Sequence, residues 1–422
     1  MNFYSIKEKL FFYNFPVILF SFIPFFLITG PFLSDLAISV IGLIFLIYCF
    51  KKKNFSFFKN KFFYLFLLFW AYLIFNTFIT NFNLDSLKIS FFYFRYGIFV
   101  IAILAFLNFD TNFIKYFFFC TLICFMVLII DGFYQYFFGE NILGWKKSEL
   151  ERTSSFFGDE RILGSYLSRL WPIFFGLSIL IFKYKHKLFS LFIFIFILSE
   201  VLIFLSGDRA AFFYINLSAV FIILLSKNLS KLRLFTLLFS IFLIGVVSFF
   251  NPTAKERVFD KTFNEMNLNK QNDIDEVYIF TKLHNDIYIS SFKIFLDNKL
   301  LGVGVKNFRN ICSDPKYYVD GKNVCNTHPH NTYIQVLSEI GILGFLFLIT
   351  VLFYFCKYLL KHFLLRLDGK YYFNDFEICI LSGIAIYLWP FVPTGNVFNN
   401  WLNIIMILNL PFLIWSRKSN KF

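Results

Sequence analysis

Long apolar runs recur along the chain, and they limit its possible folds more than any other feature of the sequence. A helix that crosses a bilayer needs about 20 mostly apolar residues. Twelve segments come close to that length, at residues 14–30, 33–50, 62–80, 91–108, 116–138, 163–182, 188–205, 210–226, 234–250, 333–355, 376–393 and 398–415. The sequence therefore predicts an all-α polytopic membrane protein with about twelve transmembrane helices.

The composition agrees with a membrane protein and argues against a nucleic-acid partner. Hydrophobic residues make up 58% of the 422 residues and charged residues only 16%, whereas soluble domains carry roughly a quarter charged residues. The net charge of +14 would suit nucleic acid, but the basic residues lie in short clusters between the apolar runs. Such clusters orient membrane proteins. We therefore expect the lipid bilayer, and no nucleic acid, as a partner.

The distribution of Lys and Arg over the loops predicts the orientation. The termini and alternate loops carry the basic clusters, which are Lys7 and Lys9; Lys51, Lys52, Lys53, Lys59 and Lys61; Lys115; Lys183, Lys185 and Lys187; Lys227, Lys231 and Arg233; Lys357, Lys361, Arg366 and Lys370; Arg417, Lys418 and Lys421. By the positive-inside rule, both termini are expected in the cytoplasm. The chain then divides into helices one to nine (1–250), a large outer loop (251–331) and helices ten to twelve (332–422).

The large outer loop is expected to be folded, because its basic and acidic residues are nearly balanced in number. Residues 284–298 have an amphipathic pattern, with Tyr288, Phe292, Phe295 and Leu296 on one helical face. This pattern favours a helix that lies on the membrane surface or across the mouth of the bundle.

Two of the seven cysteines, Cys312 and Cys325, lie in the large loop, and the other five lie in or next to predicted spans. If the loop faces an oxidising compartment, these two residues can form a disulfide. A disulfide and two free thiols are both compatible with the sequence.

A His-Pro-His-Asn motif, containing His328, His330 and Asn331, closes the large loop at the start of the tenth span. Asn331, Gln335 and Glu339 then recur at helical spacing and form a polar stripe on an otherwise apolar helix. Polar residues within a span usually face the bundle interior or a wet cavity. His330 is therefore predicted at the outer mouth of a polar cavity, supported by this stripe.

The motif has three interpretations. In the first, Asn331 caps the following helix and the histidines are ordinary interfacial residues. In the second, His328, His330 and Cys325 bind a metal, but a clear fourth ligand is lacking, so we predict no metal. In the third, His330 is a general base, for which an imidazole pKa near neutrality is well suited.

Arginines at the outer ends of spans form a second set of candidates. Arg209 begins the eighth span, where a cation opposes the helix dipole, so it needs a partner. That partner is either an anion such as a phosphate or a salt bridge to Asp208 or Glu200. Arg169 lies inside the sixth span, where an unpaired charge is costly, and should pair with an acid or a bound anion. Arg152 lies in the loop before that span.

The stretch LLGVGVKNFR, with Gly302 and Gly304, does not indicate nucleotide binding. Its two glycines are too few for a phosphate-binding loop, and neither a Walker lysine nor a strand–turn–helix context accompanies them. The stretch also lies in a loop that is predicted to face away from the cytoplasm.

These pieces together resemble the O-antigen ligase and polymerase superfamily of envelope glycan enzymes. The family pattern of His-Asn, nine residues, Gly, two residues and Gly, placed after a large periplasmic loop, is met by His330, Asn331, Gly341 and Gly344. The family's Ser-x-x-Arg turn is similar to Ser206–Arg209, and DNKLLGVGVKNFRNIC resembles the segment that precedes the histidine. The resemblance covers about residues 140–350 and the overall topology.

The resemblance implies a GT-C-like enzyme of the bacterial inner membrane, with the large loop in the periplasm, that transfers a glycan from undecaprenyl diphosphate. His330 would be the catalytic residue, and arginines would bind the diphosphate, so that no metal or other cofactor is needed. Arg209 matches the family's first arginine. Many members have a second arginine where this chain has His284, and the candidates to replace it are Arg309, Arg152 and Arg169.

The resemblance leaves the acceptor open. In the ligase it is a sugar hydroxyl of lipid A–core, which we predict here, and in the polymerase it is another carrier-linked repeat. A flippase or transporter of lipid-linked glycans is the alternative from a different class, because twelve spans also suit it. Against a transporter, no matching pair of broken helices appears in the two halves. A purely structural protein would leave the polar stripe unexplained.

Overall fold

The structure, a computed structural model, describes residues 3, 5–80, 82–147, 152–182, 186–250, 252–268 and 278–419, with no side chains described at 186–191. Within these parts all regular secondary structure is helical. No β-strand is described, and only two isolated β-bridges are found. The predicted all-α class is confirmed.

Nine helices lie in the described part of the chain before residue 183. They are α1 Ile6–Lys9, α2 Phe15–Ser21, α3 Ile23–Ile28, α4 Pro31–Lys52, α5 Lys61–Ile79, α6 Leu84–Phe92, α7 Phe94–Phe109, α8 Phe113–Phe138 and α9 Leu163–Phe182. Short π or 3₁₀ turns lie at Leu10–Asn14, Ser56–Phe58 and Ser155–Glu160.

The second half contains the large loop between two groups of long helices. Its helices are α10 His186–Leu205, α11 Arg209–Leu225, α12 Ser230–Phe250, α13 Thr253–Lys255, α14 Lys261–Glu265, α15 Lys282–Asp297, α16 Phe308–Ile311, α17 Thr332–Leu367, α18 Asp375–Leu388 and α19 Asn400–Ser419. A π turn at Glu256–Asp260 and a 3₁₀ turn at Pro315–Tyr317 lie within the loop.

Seven helical segments of the described chain are long and apolar enough to cross a membrane. They are Pro31–Lys52, Lys61–Ile79, Leu84–Phe109, Phe113–Phe138, Leu163–Phe182, Ser230–Phe250 and Thr332–Leu367. Four of the other five predicted spans coincide with helices that are shorter, interrupted or more polar, and the fifth coincides with α10, whose side chains are described only from residue 192. For example, the first is divided between α2 and α3, and α18 ends at Leu388 before Pro390. The chain is therefore a membrane protein with seven clear spans, and the count of twelve stays a prediction.

Arg233 is an exception to the predicted distribution of charges over the loops. Helix α12 begins at Ser230, so Arg233 belongs to the helix, where its side chain is fully buried. It donates to Glu200 on α10 at 2.6 Å and lies 4.3 Å from the ring centre of Trp171 on α9. Because a buried charge needs a partner, this pair fixes three helices together. It also shows that Glu200 is committed to Arg233 and not to Arg209.

The loop after α8 is fastened to that helix by two buried polar side chains. Asp131 accepts hydrogen bonds from the N–H of Ile142 at 2.9 Å and from the hydroxyl of Ser155. Gln135 accepts from the N–H groups of Ser154 and Ser155. These bonds hold the segment that carries Arg152 against the bundle.

The large loop is anchored in a break of α17. The backbone is non-helical at Ile340 and at Gly341, which has φ +66°. The segment with Gly302 and Gly304 enters this break: the N–H of Val303 donates to Ser338 at 2.9 Å and the N–H of Gly304 donates to Glu339 at 2.8 Å. The closest neighbour of Gly341 is the loop backbone at Leu300 and Leu301.

Replacing Gly341 with Ala is expected to destabilise the protein strongly. The added Cβ would overlap the carbonyl oxygen of Leu300, in a backbone conformation that side chains rarely adopt. A side chain in a backbone region that only glycine adopts readily and overpacking each cost about 1–3 kcal/mol. Thermal unfolding in detergent would measure this, with Gly245→Ala as the control because a Cβ there meets no atom within 4 Å. Equal melting temperatures for the two variants would contradict the role assigned to Gly341.

The amphipathic helix predicted at 284–298 corresponds to α15, and most of the residues that it buries in the protein lie outside the predicted apolar face. Ile287, Tyr288 and Ile294 are buried, whereas Phe292 and Leu296 are about half exposed. Ile287 and Ile294 pack into the small apolar core of the large loop with Val303 and Phe308, and α15 also runs beside α17.

Candidate active site

His330 ends the large loop immediately before α17, and its backbone is held by its neighbours. Its carbonyl oxygen accepts hydrogen bonds from the N–H of Thr394 at 2.8 Å and from the hydroxyl of Tyr288 at 3.3 Å. Its φ of +56° lies in the left-handed region, which non-glycine residues rarely adopt. Asn331 then caps α17 by accepting from the N–H of Tyr333 at 2.9 Å. The imidazole is thus carried on a fixed backbone.

Three histidine rings meet at this position. The ring centre of His330 lies 5.5 Å from that of His284 on α15 and 4.0 Å from that of His328. We call these residues the histidine cluster. Among the described residues, no group of three or more His, Cys, Asp and Glu side chains is arranged to hold a metal ion.

The ring nitrogens distinguish the members of the cluster. In His328, Nε2 lies 3.3 Å from the carbonyl oxygen of Thr394, and Nδ1 lies 3.0 Å from the hydroxyl of Thr327. A carbonyl only accepts, so Nε2 carries the proton and Nδ1 accepts from the threonine. Nδ1 of His284 lies 2.7 Å from the hydroxyl of Thr281. Within the described chain, only His330 has neither ring nitrogen in a hydrogen bond to protein.

The surroundings of the cluster favour neutral imidazoles. Burial lowers the pKa of His330 below its usual value. Burial and the proximity of His330 lower the pKa of His284 and of His328 to about 4. All three rings are therefore uncharged near pH 7, which is the form in which an imidazole can accept a proton.

The polar stripe of α17 does not face a cavity as predicted. Both carboxylate oxygens of the fully buried Glu339 accept from the large loop, from the N–H of Lys306 at 3.1 Å and from the N–H of Phe308 at 3.2 Å. Gln335 donates to Glu339 at 2.9 Å and to Asn396 at 3.0 Å. The prediction was wrong because the loop folds back onto this face of the helix. The stripe positions the loop instead of lining the space in front of His330.

Arg209 has a partner that the sequence did not indicate. Its guanidinium donates to Glu265 of α14 at 2.8 Å and to the hydroxyl of Thr262 at 3.2 Å. The predicted alternative partners are committed elsewhere, since Asp208 caps α11 by accepting from the N–H of Ala211 at 3.1 Å. The side chain of Arg209 remains about a third exposed.

Arg209 and His284 line the same cavity, which has a volume of about 570 Å³. Glu265 and Thr281 also contribute to its wall. We call it the first cavity. It lies on the His284 side of His330, so an anion bound by Arg209 would be close to the histidine cluster.

Two further arginines hold the turn that precedes Arg209. Arg152 donates from Nε to the carbonyl oxygen of Ser206 at 2.9 Å, and Arg257 donates from Nε to that of Gly207 at 3.0 Å. Burial lowers the pKa of both, and the charges of neighbouring arginines add to the effect, so that the pKa of Arg257 is about 10. The region around Arg209 is therefore strongly electropositive. The sequence did not single out Arg257, because it is one of many charges in a loop of mixed sign.

Arg169 is buried between aromatic rings and not beside an acid. Its guanidinium lies 4.6 Å from the ring centre of Tyr214 and 4.7 Å from that of Tyr387, and Nε donates to Ser165 at 3.1 Å. Among the described residues, no carboxylate lies within 4 Å of it as a salt-bridge partner. Cation–π contacts stabilise the charge in place of the predicted acid.

Arg169 and Arg309 line a second, larger cavity of about 1460 Å³. His328, Lys306 and Arg161 lie in the same wall. We call it the second cavity. His330 contacts His284 of the first cavity and His328 of the second, so it lies between the two cationic spaces. The predicted arginines are thus divided, with Arg209 and Arg152 on one side and Arg169 and Arg309 on the other.

Cys312 and Cys325 are joined by a disulfide, with their Cα atoms 5.0 Å apart. Cys312 is buried in a small apolar core with Ile294, Val303 and Phe308. This core belongs to the large loop itself and is separate from the main core of the bundle. This core and the disulfide give the loop a packed structure of its own, which can hold His284 and His330 in fixed positions relative to each other.

The fold and the site define an all-helical membrane protein with a cationic site around a histidine at one end of its bundle. Residues 192–349 match the family model described as O-antigen ligase, which confirms the resemblance to that superfamily and supports a ligase- or polymerase-type activity. The matched segment includes Arg209, Arg257, His284 and His330. No curated protein matches the chain significantly.

Proposed function

We propose that this protein transfers a glycan from undecaprenyl diphosphate to a sugar hydroxyl of lipid A–core, without a metal ion. The reaction would take place at the periplasmic face of the bacterial inner membrane, with both termini in the cytoplasm. The observation that carries the proposal is the position of His330. Its two ring nitrogens are uncommitted within the described chain, and it lies between two cationic cavities.

His330 is the base of the proposed reaction. Its neutral imidazole accepts the proton of the acceptor hydroxyl while the hydroxyl oxygen attacks the anomeric carbon of the donor sugar. The bond between that carbon and the diphosphate oxygen breaks, and both bonding electrons leave with the diphosphate. His328 is less suited to this role, because both of its ring nitrogens already form hydrogen bonds.

Arg209 stabilises the leaving group in this proposal. A cation that is fixed before the reaction stabilises the negative charge that develops on the diphosphate, and no ion has to be recruited. Arg152 and Arg257 hold the Ser206–Gly207 turn and raise the local positive potential. His284, in the position where many family members have an arginine, lies at the same cavity and can donate from its Nε2.

Deleting the gene distinguishes the ligase from the polymerase, which is the second candidate within the family's activity. The surface polysaccharide would be separated on a gel. The proposed ligase predicts that all lipid A–core molecules lose their attached chains. Cores that carry single repeats would show that the protein is the polymerase instead.

The rate of transfer is expected to stay high at pH values where an ordinary histidine is already protonated. The neutral form of His330 is active, and burial lowers its pKa below 6.5, so the rate should fall only as the pH drops below that value. The pH profile of single-turnover transfer would measure this. An inflection at or above pH 6.5 would contradict the proposed role of a buried, neutral His330.

A further inference from the structure

Basic side chains outnumber acidic ones in the lining of the second cavity. Six of its lining side chains are basic and two are acidic, the basic ones being Lys146, Lys147, Arg161, Arg169, Lys306 and Arg309. Burial and the nearby Arg309 lower the pKa of Lys306, as expected where like charges are gathered. A concave surface with this excess of one sign attracts an anion of several charges.

A buried, unpaired donor points to a ligand in the same place. Nδ2 of Asn396 has no hydrogen-bond partner among the described residues, although only 7% of this residue is exposed. Its Oδ1 is already used, since it accepts from Gln335 at 3.0 Å. A buried N–H group without an acceptor destabilises the protein, and a hydrogen bond to a bound ligand would remove this penalty. Asn396 lines the second cavity, where a phosphate or carboxylate oxygen could accept from it.

An apolar cleft continues from the second cavity between the helices. It is lined by Val336, Ile340 and Phe347 of α17 and by Leu402 and Met406 of α19, and has a volume of about 210 Å³. Four residues line both spaces, namely Arg169, Gly395, Asn396 and Leu402. A cationic cavity thus joins an apolar cleft at a buried arginine, which is the arrangement that an anionic lipid would fit.

We infer that the second cavity and the apolar cleft form a binding site for an anionic acceptor lipid. Its phosphate groups bind among Arg309, Lys306, Arg169 and Asn396, and the start of its hydrocarbon chain enters the cleft. This inference rests on the proposed function, because it places the acceptor on the opposite side of His330 from the donor at Arg209. His328 lines this cavity, and its ring centre is 4.0 Å from that of His330, so an acceptor sugar here can reach the base.

Photolabelling of the purified full-length protein in nanodiscs tests the inference. The probe is farnesyl diphosphate with a diazirine at the end of its chain, and labelled peptides are identified by mass spectrometry. Arg209→Ala removes the guanidinium from the first cavity. In this background we expect the label on residues 336–351 of α17 and on residues 397–406, which include the start of α19. A label confined to residues 261–268 and 278–297, which lie around the first cavity, would overturn the inference.

Substitutions at the second cavity provide the matched comparison. The double variant Lys306→Gln, Arg309→Gln should weaken labelling of α17 and α19 at least about tenfold, because two contacts to charged oxygens are lost. Lys316→Gln is the control, since Lys316 is an exposed cation of the same loop that lines neither cavity. Farnesyl diphosphate without diazirine should compete for the site, and farnesol should not. Equal labelling in the double variant, or competition by farnesol, would contradict the inference.

Natural lipids then distinguish the source of the anion. Displacement of the probe by lipid A indicates a phosphorylated glycolipid acceptor and supports the inference. Undecaprenyl diphosphate is the carrier of the donor, so displacement by it alone would place the donor in the second cavity and overturn the inference, as would displacement by neither lipid. Labelling does not require turnover. If His330→Ala still transfers glycan while α17 and α19 are labelled, the proposed role of His330 in the reaction is contradicted, but the lipid-binding site is still supported.

Discussion

Cells that carry His330→Ala in place of the natural protein are expected to lose attached glycan chains almost completely. A positioned general base contributes about 10²–10⁴-fold to the rate of a reaction, and within the described chain His330 is the histidine of the cluster whose ring nitrogens are uncommitted. Alanine removes the imidazole but leaves the carbonyl oxygen that Thr394 and Tyr288 contact. The lipopolysaccharide ladder on a gel measures the loss, and an immunoblot of the membrane fraction shows whether the protein is present.

The control for this variant is His328→Ala. His328 is half-buried next to His330, but its ring nitrogens are used by Thr394 and Thr327. We therefore expect it to retain much more activity than His330→Ala, with a loss that reflects a less well positioned loop. A normal ladder from His330→Ala, or equal losses in the two variants, would contradict the assignment of the base to His330.

Arg209→Ala is the second variant with a large expected effect. Removing one fixed group that stabilises developing charge lowers the rate by about 10²–10³-fold, and Arg209 lines the cavity that reaches His284. In reconstituted vesicles the loss should appear in the rate of transfer from the diphosphate-linked donor. The protein should still insert in the membrane, because Asp208 caps α11 without the arginine side chain.

The salt bridge to Glu265 provides the control for Arg209. Alanine at position 209 leaves the Glu265 carboxylate without its 2.8 Å partner, which could disturb α14. The double variant Arg209→Ala, Glu265→Ala removes that unpaired charge. If the double variant recovers activity, Arg209 has a structural role; if it remains inactive, Arg209 acts on the substrate as proposed. Glu265→Ala alone should keep most of the activity.

The sequence predicted those features that depend on local patterns. Seven apolar runs are helices of spanning length, and capping of the tenth predicted span by Asn331, which was one of the three interpretations of the motif, is confirmed. The Gly302 and Gly341 positions were also prominent in the sequence. Both glycines allow the loop to dock into the broken helix. This contact could not be predicted from the sequence, because it depends on which backbone segments meet in the fold.

Features that depend on long-range contacts could not be predicted in the same way. Glu339 has the spacing of a cavity residue, but the loop at Lys306 covers it. Arg209 pairs with Glu265, which lies 56 residues away in the sequence. Arg257 reaches the turn at Gly207 from a loop of mixed charge, and no local pattern marks it. Periodicity gives the face of a helix, but not the identity of the element that covers it.

The central claim, that His330 drives formation of a glycosidic bond, is tested most directly by reconstitution. Purified protein in proteoliposomes would be supplied with an undecaprenyl-diphosphate-linked glycan and lipid A–core, and the joined product would be measured by mass spectrometry. We predict product with the natural protein and at least about 100-fold less with His330→Gln, which keeps a polar side chain but provides no base. Equal product from both proteins, or movement of the donor across the bilayer without any joined product, would contradict the account.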